Sequence, residues 1–127
     1  MVAVLVALGV AGCGDGGESQ APRAAELTAD ERRLVTSYEG RIQEHCVRVA
    51  RSLTDPAAAP SPGEQSSAFQ AADALAALAA SKPTARVDAG QDLRLYLSDV
   101  VENLEGSNCD PRMIVRLERA LAKIPNR

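Results

Sequence analysis

The sequence predicts an all-α domain, a small antiparallel four-helix bundle preceded by a signal segment and a flexible linker. Three observations carry that prediction. Apolar residues recur at intervals of three and four along four separate segments, and no segment alternates with the period of two that marks strands. Prolines and capping residues stand where those segments should start and stop. With 127 residues, the chain is long enough for one hydrophobic core and too short for two. Trp is absent and there are one Phe and two Tyr, so the core must come from Leu, Val, Ile and Ala, which suits closely packed helices.

The first helix opens at Thr28-Ala29-Asp30-Glu31, where Thr and Glu can satisfy each other's free backbone N–H groups. Its apolar stripe reads Leu34, Tyr38, Ile42, Cys46, Val49 and Leu53, and Asp55-Pro56 ends it. Residues 55–63 are Pro-rich and read as a stiff, extended connection. A second, alanine-rich helix spans Glu64 to Ala80 with Phe69, Ala72, Leu75, Ala76 and Ala79 on one side, broken by Lys82-Pro83. The third is expected from Thr84 to Glu105, with Leu93, Leu97, Val100 and Leu104 inward and Gly106 as its stop. Its acids Asp88, Asp92, Asp99 and Glu102 read as a solvated face. Asp110-Pro111 places a capping acid before a first-turn proline and opens the fourth helix, whose apolar face is Met113, Leu117, Ala120, Leu121 and Ile124.

Ahead of these helices, residues 2–10 are apolar apart from Gly9, too short a run to span a bilayer but the length of a signal-peptide core. Val10-Ala11-Gly12-Cys13 follows, an aliphatic residue and two small ones before a cysteine. That quartet resembles the lipobox of bacterial lipoproteins. The resemblance implies that Cys13 takes a diacylglyceryl group on its thiol and becomes the acylated first residue after cleavage. It covers the first thirteen residues and says nothing of the fold. Residues 1–12 then read as signal peptide, 13–27 as a flexible tether rich in Gly, Ser, Gln and Pro, and 28–127 as the helical domain.

With Cys13 assigned to lipid, Cys46 and Cys109 remain as a pair. Outside the cytoplasm disulfides persist, and a bond between these two would pin the first helix to the last. No C-x-x-C spacing supports a redox site. His45, Cys46 and Cys109 offer three metal ligands on paper, but adjacent helical residues point about 100° apart, so no metal site is expected. His45 is the only histidine and has no nucleophile motif to serve, which argues for a half-buried packing role.

Charge narrows the partners. The net charge of -3 and the scarcity of stacking aromatics argue against nucleic acid. From Thr84 to Gly106 there are two basic and five acidic residues; from Asp110 to Arg127, five basic and two acidic. These stretches could attract each other as neighbouring helices. Arg112, Arg116, Arg119, Lys123 and Arg127 make one basic face, read mainly as solubilising. The expectation is a non-catalytic, extracytoplasmic lipoprotein held at a bacterial membrane through Cys13, without a cofactor. It would serve as a binding or envelope-associated scaffold for an unknown envelope protein or small ligand. The alternative is a small-ligand or haem carrier using His45, Met113, Tyr38 and Tyr96.

Overall fold

Each of the four helices is opened by a side chain that accepts a hydrogen bond from a free backbone N–H. The computed structural model describes residues 26–88 and 90–125. The signal segment, Cys13 and nearly all of the tether lie outside the described residues, as does Arg127. Helix α1, Ala29–Ser52, is capped by Thr28: its hydroxyl accepts from the Glu31 amide at 3.0 Å, and the Glu31 carboxylate accepts from the Thr28 amide at 2.9 Å. Leu27, expected at the end of the tether, is buried in the core.

The buried face of α1 differs from the expected stripe. Ile42 and Cys46 are inside, but Leu34 is 44% exposed and Leu53 79%, while Val35 is 2% exposed. A run spaced by fours drifts about 40° per step, so Leu34 stands about 120° from Cys46, whereas Val35 stands about 20° from it. Leu53 points the right way but lies at the helix cap, past its packing partners.

The Pro-rich connection is not extended throughout. Pro56–Ala58 forms a single 3-10 turn, with the Asp55 carboxylate accepting from the Ala57 amide at 3.2 Å. Ser61 then caps α2, Pro62–Ser81, through a second reciprocal box with Glu64. The helix starts two residues before the expected Glu64 because proline is well suited to a first turn. Ala68, Ala71, Ala72, Leu75 and Ala79 are buried along it. So thin a helix lets α1 and the two helices that follow all pack against it.

The third helix is shorter than the sequence suggested. Two short strands, β1 (Arg86–Asp88) and β2 (Gln91–Asp92), pair as a small antiparallel ribbon, and α3 begins only at Leu93 and runs to Gly106. Pro83 removes a helical donor, Gly90 weakens the segment, and the two aspartates are used locally. Asp88 accepts from the Gly90 amide at 3.0 Å, and Asp92 caps α3 by accepting from Leu95 at 2.9 Å. Neither stands on the solvated helix face expected of it.

Asn108, at φ 57°, makes the left-handed turn after α3; Gly106, the expected stop, is the last helical residue. The Cys109 amide donates back to the Leu104 carbonyl at 3.1 Å, and Asp110 opens α4, Pro111–Ala122. Met113, Leu117 and Ile124 from this end of the chain complete the core. Among the described residues there are four helices and one two-stranded ribbon, so the chain is mostly helical. Helix α2 packs on α1, α3 and α4, and α3 packs on α4. Among the described residues no ion pair links the acidic residues of α3 to the basic residues of α4. Arg112 and Arg116 bond Asp110 and Asp73, and the neighbouring Glu118 carboxyl holds the Glu105 carboxyl above its ordinary range.

Candidate functional site

Two consecutive residues of α1, His45 and Cys46, meet two consecutive residues at the start of α4, Cys109 and Asp110. The cysteines form a disulfide with their Cα atoms 4.8 Å apart. Beside it His45 Nε2 lies 3.2 Å from Asp110 Oδ2, both residues almost wholly buried. His45 is therefore deeper than its half-buried expectation, and it has a charged partner. Asp110 also accepts from the Arg112 amide at 3.0 Å and from its guanidinium Nε and Nη2 at 3.1 and 2.7 Å. The Arg112 guanidinium, aided by His45, holds the Asp110 carboxyl down at about 2.

Phe69 of α2 closes this clasp. Its ring meets the His45 ring edge-on at 5.6 Å, and the guanidiniums of Arg112 and Arg116 lie 5.4 and 5.1 Å from its centre. Part of the basic face is thus committed to structure, since Arg116 also reaches Asp73 at 3.2 Å. Chemically the clasp holds an imidazole against a carboxylate, with Cys46 tied up as a disulfide beside it. It orients α4 and fixes the first helix to the last.

On another side of Cys46 the surface opens. A half-open groove of about 330 Å³ runs between α1 and α3. Glu39, Gln43, Val47 and Ala50 form the α1 wall; Val100, Asn103, Leu104 and Ser107 form the α3 wall, and Cys46 borders it. The two helices run in the same direction, because Tyr96 of α3 reaches Glu39 near one end while Cys109, just past α3, reaches Cys46 further along. The groove lining is mainly apolar, with Glu39, Gln43, Asn103 and Ser107 as its polar members. Tyr96 donates its hydroxyl to Glu39 Oε1, and Gln43 Nε2 donates to Glu39 Oε2 at 3.1 Å. Burial first, then the Glu39 carboxylate, push the Tyr96 phenol well above its ordinary range.

Of the residues singled out from sequence, the structure joins Cys46 to Cys109 and leaves the other four apart from the groove. Met113 is fully buried in the core, and His45 Nε2 is engaged by Asp110. Tyr38 lies under the Arg41 guanidinium at 5.6 Å, and Tyr96 is bound to Glu39 without lining the groove. Sequence reasoning missed Glu39, Phe69 and the second role of Asp110. The capping pattern revealed Asp110, but nothing local reveals a partner 65 positions away. Among the described residues no helix is long and apolar enough to cross a membrane. Comparisons with protein-family models, curated proteins and solved structures each find no match.

Proposed function

We propose that the chain is a lipid-anchored extracytoplasmic protein whose four helices form a small antiparallel bundle acting as a non-catalytic binding module of the cell envelope. The observation that carries the reading is the pairing of Cys46 with Cys109. Such a bond belongs to an oxidising compartment, which is where the lipobox-like Val10-Ala11-Gly12-Cys13 would deliver the domain. The Gly- and Ser-containing stretch after Cys13 suits a tether that holds the domain off the membrane. A binding role is supported by the groove between α1 and α3, which has the size of a small-ligand pocket. Haem carriage has less behind it, because His45 and Met113 are both packed into other contacts.

Metabolic labelling with palmitate in a bacterial host tests the anchor. The full chain should take up label and fractionate with membranes, and Cys13→Ala should lose both. Label retained by Cys13→Ala would overturn the lipoprotein reading.

A further inference from the structure

Glu39 is the unusual group of the groove. Its carboxylate is half-buried and oriented by two neutral donors, Tyr96 and Gln43. Among the described residues no cation stands within ion-pair distance of it. Glu31, also partly buried, has Lys82 at 2.8 Å, and the buried Asp110 has Arg112 at 2.7 Å. A carboxylate partly withdrawn from water and left without a counter-charge favours any cation that can reach it.

The groove below Glu39 is apolar and elongated. From Glu39 to Ala50 the α1 wall runs about 16 Å along the helix axis. Val47, Ala50, Val100 and Leu104 line it, and Val47 is 44% exposed, an apolar side chain left facing water. A volume of about 330 Å³ accepts an aliphatic chain or a ring system.

We propose that this groove binds a small cationic amphiphile, its apolar body on Val47, Ala50, Val100 and Leu104 and its protonated amine or quaternary ammonium at Glu39. The inference rests on the domain being a binding module and names the ligand class that module takes. Anionic amphiphiles are disfavoured by the same carboxylate that attracts the cation.

The test uses three eight-carbon compounds, below their micellar or solubility limits: octyltrimethylammonium, octanol and octanoate. Each is titrated into the purified full chain while amide NMR signals are followed. The cation should saturably shift Val47, Ala50, Val100 and Leu104 and bind about tenfold more tightly than octanol, a modest charge contribution. Octanoate should bind more weakly than octanol. Glu39→Gln should bring the cation to the affinity of the alcohol and leave the alcohol unchanged. Ala50→Trp should abolish binding of all three; if its circular dichroism departs from the parent, Val47→Trp serves, filling the groove from the same wall without adding charge. Octanoate binding as well as the cation, or a Glu39→Gln variant that keeps the preference, would overturn the cationic assignment while the binding module stands. No saturable shift with any compound would overturn the site itself, and palmitate labelling decides the anchor independently. Concentration-dependent shifts of these amides without ligand would show the groove to be a contact between copies of the chain, which also overturns the proposal.

Discussion

Replacing Asp110 by asparagine tests whether its buried carboxylate stabilises the fold through charge. The side chain caps α4, binds the Arg112 guanidinium and faces His45 Nε2 at 3.2 Å. Asparagine keeps the shape, caps helices about as well, and can still accept a hydrogen bond at the same place. Charge is therefore the main thing removed. Arg112 above all, and His45 after it, hold the folded carboxyl at about 2 against its ordinary 3.8. A carboxyl depressed in the folded state contributes stability that is fully present well above 3.8 and is lost as pH falls through about 2. That gap corresponds to about 2 kcal/mol at neutral pH. Asp110→Asn should thus cost about 2 kcal/mol more at pH 7 than at pH 2. With a urea slope of about 1–3 kcal/mol per molar, the extra loss appears as a midpoint shift on the order of 1 M. Urea titrations of both proteins across that pH range measure it. A difference between them that is equal at pH 7 and pH 2 would refute the charge argument.

Three further outcomes follow from the same contacts. Cys46→Ser or Cys109→Ser opens a loop spanning 63 positions and should cost about 4 kcal/mol, read from urea midpoints with and without reductant; the parent should lose a similar amount on reduction. Asn108→Val forces a β-branched residue to φ 57° and should cost about 1–2 kcal/mol, while Asn108→Gly should be near neutral by thermal melting. Leu75→Ala removes a wholly buried side chain of α2 and should cost about 2–5 kcal/mol; Leu34→Ala, at a side chain 44% exposed, should cost far less, about 0.5 kcal/mol.

The parts of this fold legible in the sequence are those settled within a few residues. The reciprocal cap at Thr28 and Glu31 and the Asp110-Pro111 start of α4 are both local hydrogen-bond patterns, and both stand as expected. The segment from Thr84 to Asp92 was misread because its composition allows a helix. What decides it is tertiary: Ala85 is wholly buried, its carbonyl accepts from Leu93 at 2.9 Å, and the Pro83 carbonyl accepts from Arg94 at 3.0 Å. The face of α1 was misread for a different reason, since steps of four drift around a long helix and only the neighbours determine which strip is covered. The cysteine pair was legible by arithmetic once Cys13 was set aside. The groove was not, because it needs the relative placement of α1 and α3, which no spacing within either helix encodes.

That placement follows from unequal lengths and from the thinness of α2. Helix α1 has 24 residues, about 36 Å, against 14 in α3 and 12 in α4. The alanines of α2 draw α1, α3 and α4 toward one central helix, so α1 reaches α3 and α4 mainly through side chains: Glu39 with Tyr96, His45 with Asp110, and Cys46 with Cys109. His45 and Cys46 are adjacent, hence about 100° apart around the axis. One turns to the clasp with Asp110 and Phe69, and the other borders the groove. The disulfide is therefore the shared wall of both, and the side-chain links that hold α1 to α3 and α4 also hold the groove open at its present width. Cutting the Cys46–Cys109 bond should accordingly weaken binding of octyltrimethylammonium as well as lower stability, whereas Asp110→Asn, which leaves that wall in place, should lower stability alone.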